Sequence, residues 1–327
     1  MQKLMHLSTT KKYLTWFKND WQLIKDFLEK HQLDGVELGL TLDYPLQNIN
    51  PDLITGIHLN FYPMWLEFWK ENKLLVEKYI GDDNDVINYY GGLNKNIIVE
   101  KYQLQYERAK TLQAEYMVFH ISHIRPEDSF TWKFDYSDEE VVDATIELIN
   151  LAFPHNENGP LLLFENLWWP GLTYLNKSIC EKILSGVKYK NIGFVIDISH
   201  LTLTNPQIDN EKKCFDYISK VVNNLGEIKP YIYGVHLNKT LPKHYMKQNH
   251  LYKLEKYQST TDKKLKHKIL MEHVNKLDPH QPFDHPIAKE IVEVINPQFC
   301  VFETNPQTIY ELNYFMKIQN KALGIIY

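Results

Sequence analysis

Six short apolar segments of the sequence each end in a histidine or a carboxylate, the side chains that most often bind metal ions. The residues are His58, His120, Glu165, Asp197, His236 and Glu303. Each follows a mostly apolar run, which places it at the C-terminal end of a predicted strand. Carboxylates brought close together would repel one another and resist ionisation. A divalent cation relieves that repulsion, and mixed imidazole and carboxylate ligands suit zinc, manganese, cobalt or iron.

Three more residues extend this set of candidate ligands. His200 follows Asp197 by three residues, so both can face one cavity, and Asp278 and His280 flank Pro279 ahead of the last predicted strand. One histidine near a strand end is more often a hydrogen-bonded core residue than a ligand. The prediction of a metal site therefore rests on the joint pattern, in which every one of the last six strands contributes.

The elements that must position these residues are eight short apolar segments that alternate with helix-like segments. They are residues 3–10, 35–40, 54–62, 115–122, 160–167, 191–199, 231–238 and 299–305. Nearly continuous hydrophobicity is typical of strands buried on both faces of a parallel sheet. The alternation predicts an α/β fold, a closed (β/α)₈ barrel in one domain over residues 1–327. An open doubly wound sheet is disfavoured, because there are only 13 glycines and no Gly-rich phosphate loop.

Capping residues predict where two of the helices begin. Ser137 precedes Asp-Glu-Glu and an apolar pattern of helical spacing, which is typical of a capping box. Asn305 and Pro306 predict an N-cap followed by proline at the first helical position.

Two connections are too long for ordinary barrel loops, about residues 63–114 and 239–276. Both follow predicted strands, so we expect them to lie over the C-terminal mouth of the barrel as a lid or substrate-recognition layer. The second is rich in lysine, and a solvated helical face explains those lysines equally well.

Composition limits the cellular setting. The net charge of −5 gives no sign of a general polyanion binder, although a local basic groove remains compatible with it. The three cysteines are not spaced as metal ligands and predict reduced thiols. The N-terminal residues lack the apolar region of a signal peptide, and no apolar run reaches the length of a membrane helix. We therefore expect a cytoplasmic protein without membrane contact.

The order of the motifs on consecutive strands resembles the xylose-isomerase-like barrel superfamily, which includes endonuclease IV and many sugar isomerases and epimerases. The fragments FEN, VIDxSH, HLN and FET carry the resemblance, which runs from about Asp34 to Asn305. For the isomerases and epimerases it implies one metal ion, bound by Glu165, Asp197, His236 and Glu303. For endonuclease IV it implies three ions, with His58, His120, His200, Asp278 and His280 as additional ligands.

The sequence also departs from both patterns. Glu165 is followed by Asn-Leu-Trp-Trp-Pro-Gly where endonuclease IV usually has small residues, and Lys239 stands where that family has aspartate. The arginine that the epimerases carry soon after the His236 motif is absent. Lys239 could take its place, although lysine lacks the bidentate geometry of arginine.

The favoured hypothesis is a divalent-metal-dependent isomerase or epimerase that acts on a small sugar, sugar phosphate or related polyhydroxy carbonyl compound through an enediolate. Glu165 and Glu303 would remove and return the proton, and His200 would bind a substrate oxygen. Trp168, Trp169, Phe61 and Lys239 are the predicted substrate-binding residues. One to three ions of zinc, manganese or cobalt are the expected cofactor, and a small-molecule substrate is favoured over DNA.

Three other functions remain open. The first is a trinuclear zinc phosphodiesterase that resembles endonuclease IV, the abasic-site endonuclease, which would use all nine candidate ligands. The second is a multinuclear iron oxidase on the same ligand set. The third is a binding protein that has lost its chemistry, which the presence of every candidate acid–base residue disfavours.

Overall fold

A computed structural model describes residues 1–155 and 159–325 of the chain. Eight parallel strands pair in sequential order, and the last strand pairs with the first to close a barrel. The strands are β1 Gln2–Ser8, β2 Gly35–Gly39, β3 Ile54–His58, β4 Tyr116–His120, β5 Leu161–Glu165, β6 Ile192–Asp197, β7 Ile232–His236 and β8 Phe299–Phe302. The predicted (β/α)₈ barrel is confirmed, and each strand overlaps one of the eight predicted segments.

α-Helices follow every strand except β2, whose connection to β3 contains only two short 3₁₀ helices, and they surround the barrel. They are α1 Lys11–Trp16, α2 Trp21–Lys30, α3 Leu66–Trp69, α4 Lys73–Tyr79, α5 Asp83–Tyr90, α6 Asn96–Thr111, α7 Asp128–Thr131, α8 Asp138–Ala152, α9 Lys177–Gly186, α10 Ile198–Leu203, α11 Glu211–Asn224, α12 Lys243–Met246, α13 Leu251–Ser259, α14 Lys263–Leu277, α15 Ile287–Ile295 and α16 Ile309–Ala322. Among the described residues, none of these helices has the length and apolar character that crossing a bilayer requires.

The two long connections are largely helical. Helices α3, α4 and α5 lie between β3 and α6, and α6 packs beside α8 in the outer ring. Helices α12, α13 and α14 lie between β7 and α15. We call the segments α3–α5 and α12–α14 the first and second insertions.

Alternation along each strand decides which side chains point into the barrel. In β5, Leu163 belongs to the apolar cluster inside the barrel, whereas Leu162 and Phe164 pack in the larger core between the barrel and its helices. Because side chains alternate between the two faces of a strand, Glu165 points to the same side as Leu163. The same alternation applies to Val118 and His120 of β4.

The barrel interior therefore changes character along its axis. Its lower layers are apolar and are formed by Leu4, Tyr116, Val118, Leu163, Val195, Phe299 and Val301. The layer above them, at the C-terminal ends of the strands, is formed by histidines and carboxylates. The apolar layers stabilise the fold, and the polar layer lies where the active sites of such barrels are found.

The two predicted helix starts have different outcomes. Helix α8 begins at Asp138, and the Ser137 side chain accepts a hydrogen bond from the Glu140 amide, as predicted. The prediction at Asn305 and Pro306 is wrong, because α16 begins at Ile309 with Thr308 as its N-cap. The Asn305 amide instead donates to the carbonyl of His280, 3.2 Å away, which keeps this segment at the mouth of the barrel.

Candidate metal centre

Nine histidine and carboxylate side chains meet at the C-terminal mouth of the barrel, and we call them the mouth cluster. Its members are His58, His120, Glu165, Asp197, His200, His236, Asp278, His280 and Glu303. Six come from strand ends, His200 lies in the first turn of α10, and Asp278 and His280 lie in the connection from α14 to α15. Glu165, Asp197 and His236 are fully buried, whereas Glu303 and His280 keep about 15% of their side chains exposed. The cluster thus has a buried floor and a partly open rim.

The first ligand group consists of His58, His120 and Glu165. The Nε2 atoms of the two histidines are 3.1 Å apart. They lie 3.3 Å and 2.8 Å from Glu165 Oε2. Ligand atoms about 2.0–2.2 Å from a tetrahedral zinc ion are separated by similar distances. The three atoms can therefore bind one ion.

The second ligand group consists of Glu165, Asp197, His236 and Glu303. His236 Nδ1 lies 2.7 Å from Glu303 Oε2, 3.4 Å from Glu165 Oε1 and 3.9 Å from Asp197 Oδ2. This is the four-ligand set that the resemblance to isomerases and epimerases implied.

The third ligand group lies beside the second, toward α10. Asp278 Oδ2 lies 3.2 Å from His200 Nε2 and 2.6 Å from His280 Nε2. A carboxylate oxygen of Asp197 also lies within 4.8 Å of ligand atoms of both histidines. The third group therefore adjoins the second through Asp197.

Glu165 joins the first two groups. Its Oε2 faces His58 and His120, whereas its Oε1 faces His236. The carboxylate is fully buried, and neither oxygen has a hydrogen-bond partner of acceptable geometry. A carboxylate whose two oxygens face two ligand groups is arranged to bridge two ions.

Hydrogen bonds outside the cluster orient the imidazole rings. His58 Nδ1 lies 3.2 Å from the carbonyl of Leu59, and His200 Nδ1 lies 2.9 Å from the carbonyl of Asn166. A carbonyl can only accept, so each of these nitrogens donates its proton. The lone pair of each neutral ring is then on Nε2, the atom that faces the cluster.

Asp197 is also held in place from outside. Its backbone amide donates to Asn166 Oδ1 (2.9 Å), its Oδ1 accepts from the His200 amide (2.7 Å), and its Oδ2 accepts from Asn238 Nδ2 (2.7 Å). Both asparagines follow a strand-end ligand closely in sequence, Asn166 after Glu165 and Asn238 after His236. These bonds fix the carboxylate before any ion is bound.

The charges of the cluster favour a bound cation. Burial alone would raise the pKa of Glu165, but His120 and His236 hold it well below its usual range. Burial raises the pKa of Asp197 to about 7 despite the neighbouring His200 and His280. Among the described residues, the carboxylates of the mouth cluster form ion pairs with histidines only and with no lysine or arginine.

Several buried polar atoms of the cluster lack a hydrogen-bond partner in the described structure: both carboxylate oxygens of Glu165, His236 Nδ1, Glu303 Oε2 and His120 Nδ1. Burying such atoms unpaired is costly, and all but the last face neighbouring ligand atoms. Divalent ions would satisfy them, so the residues fit the metal sites that the sequence predicted.

The predicted aromatic residues surround the cluster. The Trp168 ring lies 5.0 Å from the His200 ring, and Phe61 lies 4.8 Å from His120. Trp168 and Trp169 are almost fully buried against each other and against residues of the second insertion. Their predicted contact with substrate stays a prediction.

Lys239 has partners that the sequence did not reveal. Its ammonium lies 2.5 Å from Glu211 Oε1 and also contacts Asp284. Its backbone pairs with Gln281. These contacts stabilise the loop after β7 and give no support to its predicted role in substrate binding.

A second group of charges, buried or partly buried except for Asp135, fastens the first insertion, and we call Glu67, His123, Arg125 and Asp135 the insertion network. Glu67 Oε2 lies 3.1 Å from His123 Nε2, and Glu67 Oε1 accepts from Arg125 Nε at 2.6 Å. Arg125 also pairs with Asp135. Although burial opposes it, His123 and Arg125 lower the pKa of Glu67 to about 2. This network attaches α3 to the segment after β4.

Two residues that the predicted ligand set does not include point inward from the first two strands. Glu37 of β2 is fully buried, and its Oε1 lies 3.5 Å from Nδ1 of His6 on β1. His6 Nδ1 also lies 3.9 Å from Glu303 Oε1. A signal was present, because each is an ionisable residue flanked on both sides by apolar residues of its strand.

Comparisons with known proteins agree on the fold. No protein-family model matches the sequence, and no curated protein matches it. Endonuclease IV from Thermus thermophilus superposes with a TM-score of 0.56 at 13% identity, covering 100% of both chains. A D-tagatose 3-epimerase-like protein gives 0.55 at 15%, covering 99% of this chain and 98% of that chain. The IolI protein with a bound zinc atom gives 0.50 at 16%, covering 98% and 96%.

At these identities the likeness shows the fold alone. The xylose-isomerase-like barrel that the motifs predicted is therefore confirmed as a fold. The structural neighbours include both endonuclease IV and sugar epimerases, so the fold by itself does not identify a reaction.

Proposed function

We propose that this protein is a phosphodiesterase that uses two or three divalent metal ions at the mouth of its barrel. The observation that carries the proposal is the position of Glu165, whose two oxygens face two different ligand groups. A single-ion isomerase needs only the second group. The first and third groups would then be surplus, although one histidine of each, His58 and His200, is oriented with its lone pair toward the cluster.

Bound ions would supply positive charge that stabilises both the attacking and the leaving oxygen of an in-line displacement at phosphorus. The residues of the chain determine where those charges lie. Glu165 would supply one oxygen to the first group and one to the second, and Asn238 and the His200 amide fix Asp197 between the second and third groups. Glu303, with its side chain 14% exposed, lies on the open side of the second group and is positioned to contact the substrate.

The second insertion favours an anionic substrate. Residues 239–276 contain ten lysines and only three acidic residues, in a chain of net charge −5. Tyr245, Met246 and Val274 of this segment pack against the apolar cluster that contains Trp168, and Trp168 contacts His200 of the mouth cluster. The most basic segment of the chain thus lies next to the ligands, where it would attract the phosphates of a substrate.

An isomerase or epimerase is the second candidate, and one observation favours it. Glu165 and Glu303 approach the same atom, His236 Nδ1, at 3.4 Å and 2.7 Å. Two carboxylates beside one ion could remove and return a carbon-bound proton. In that case only the second ligand group would bind an ion.

Metal content and activity of His280→Ala separate the two candidates. We expect zinc-loaded wild-type protein to contain two or three ions and to hydrolyse a phosphodiester such as bis(p-nitrophenyl) phosphate or DNA with an abasic site. His280→Ala should lose one ion and at least about 10²-fold in kcat, because the third group loses a ligand. Exposed His244, replaced in the same way, is the matched control.

The opposite pattern would support the second candidate. One ion per chain, unchanged in His280→Ala but lost in Glu303→Ala, contradicts the multinuclear site. Exchange of a carbon-bound proton of a ketose or aldose with deuterium, without phosphodiester hydrolysis, would establish the isomerase chemistry in its place.

A further inference from the structure

Glu37 lies one layer below the mouth cluster, inside the barrel. The register places it beside His6 of β1 and Gly56 of β3. It is fully buried. Burial raises the pKa of Glu37, but His236 and His6 reverse the effect and lower it to about 2.

Three side chains can donate hydrogen bonds to this carboxylate. Oε2 accepts from the Tyr116 hydroxyl at 2.8 Å and lies 3.2 Å from His236 Nε2. Oε1 lies 3.5 Å from His6 Nδ1. Gly56 makes room for this arrangement, because a Cβ atom there would collide with the Tyr116 ring.

The two ring nitrogens of His236 have different surroundings. Nε2 faces Glu37, whereas Nδ1 faces Glu303 and Glu165 of the second ligand group. A neutral imidazole carries one proton, and a carboxylate partner fixes that proton on the nearer nitrogen. With the proton on Nε2, the lone pair is on Nδ1, which is the form that binds a metal ion.

We propose that Glu37 is a positioning residue, which fixes the tautomer and ring orientation of His236 and strengthens ion binding by the second ligand group. Carboxylates that accept from the second nitrogen of a ligand histidine orient the ring and raise its basicity. The inference rests on the metal-binding part of the proposed function and not on the reaction that the site catalyses.

A different role for Glu37 has to be separated from this one. Ligand atoms of Glu37, His58 and His236 lie within 4.8 Å of one another, so Glu37 could itself be a ligand. The positioning role is favoured because Glu37 Oε2 already faces two donors, the Tyr116 hydroxyl and His236 Nε2.

Zinc affinity of Glu37→Leu and Glu37→Gln tests the proposal. Metal-free protein is reloaded with zinc, each binding step is measured by competition with a chelator, and Glu303→Ala identifies the step that belongs to the second group. We expect Glu37→Leu to weaken that step about 10–100-fold with the same number of ions at saturating zinc. Glu37→Gln should have a smaller effect, because its amide oxygen can still accept from His236.

Glu67→Gln is the matched control, because it also neutralises a buried carboxylate that contacts a histidine but lies outside the ligand groups. It should leave every zinc affinity unchanged. An unchanged affinity in Glu37→Leu overturns the proposal, as does the loss of a whole ion at saturating zinc in both Glu37 variants, which would make Glu37 a ligand.

Two further measurements cover the cases in which Glu37→Leu does not fold or the proposed reaction is not observed. If Glu37→Leu does not fold, the visible spectrum of cobalt-loaded Glu37→Gln replaces it, and a spectrum and zinc affinity identical to those of wild type would overturn the proposal. If zinc-loaded wild-type protein cleaves no phosphodiester, the proposed reaction fails, but the affinity comparison at Glu37 still gives its own answer.

Discussion

The mouth cluster and the insertion network are both buried groups of charged residues, yet they are built in opposite ways. In the insertion network, Arg125 supplies a permanent positive charge, and Glu67 contacts both Arg125 and His123. In the mouth cluster, the described carboxylates form ion pairs with histidines only, and both oxygens of Glu165 lack a hydrogen-bond partner. The charges of the first arrangement are compensated within the protein, although one atom, His123 Nε2, has no hydrogen bond of acceptable geometry. The second arrangement leaves carboxylate oxygens without partners, and its side chains are of the types that bind divalent ions.

Position in the fold explains why the two differ. The insertion network joins a helix of the first insertion to the segment after β4, so its task is to hold two parts of the chain together. The ligands of the mouth cluster come mostly from strand ends that the closed barrel already holds in place. A site in which the scaffold supplies the geometry can leave its polar atoms free for ligands.

The largest effect is expected for Glu165→Gln, which removes the bridging carboxylate. The amide cannot neutralise two ions, so at least one ion should be lost and kcat should fall at least about 10³-fold. Elemental analysis and phosphodiester hydrolysis measure the two changes. Full metal content and activity in this variant would mean that the mouth cluster binds its ions without the Glu165 carboxylate. The proposed difference between the mouth cluster and the insertion network would then be wrong.

Glu67→Gln should lower the stability of the protein and leave the metal content and kcat unchanged, the opposite of the pattern expected for Glu165→Gln. Removing one partner of a buried ion pair leaves Arg125 and His123 poorly compensated, so the free energy of unfolding should fall by about 3–5 kcal/mol. Denaturant unfolding of the metal-free protein measures this change. Metal content and kcat of the folded variant should equal those of wild type, and a loss of ions would show that the two regions are coupled.

The smallest effect is expected when the pH is lowered, and it concerns the buried side chain of His273 in the second insertion. His273 is buried, its Nε2 donates to the Ser129 carbonyl at 2.9 Å, and its Nδ1 accepts from the Tyr245 hydroxyl at 2.9 Å. Burial lowers the pKa of His273 from 6.5 to about 4, partly offset by the bond to Ser129. Neutral His273 is thus the form that the fold requires.

The unfolded chain binds the proton more tightly than the folded protein between these two pKa values. The stability contributed by neutral His273 is therefore complete above pH 6.5 and falls as the pH drops toward 4, by about 2–3 kcal/mol in total. Unfolding of metal-free wild type and His273→Gln across this range measures it. Parallel pH dependence in the two proteins would exclude His273 as a source of acid sensitivity.

The meeting of the mouth-cluster side chains could be predicted from the sequence because strand alternation links them to apolar residues. Glu165 lies two residues after Leu163, so the same pattern that marks a buried strand also directs the carboxylate inward. The closure of the barrel then brings together side chains from six different strand ends. Both steps follow from the strand pattern and the barrel fold, and neither requires knowledge of individual side-chain contacts.

Other features depend on such contacts and could not be predicted. The partners of Lys239 are Glu211 and Asp284, far from it in sequence. Helix α16 starts three residues later than predicted, because the Asn305 amide bonds to His280 across the mouth. Glu37 lies between apolar residues of β2, and its contact with His236 of β7 depends on the closure of the barrel.

The origin of the ligands on separate strands has a consequence for how the protein unfolds. His58 faces Glu165 and Glu303 faces His236, so ions bound by these pairs would cross-link distant parts of the chain. Such cross-links shorten the open loops of partly unfolded states, and they must break before neighbouring strands can separate. The ions would then govern the lifetime of the folded barrel as well as its chemistry, and their loss would convert a kinetically long-lived protein into a short-lived one.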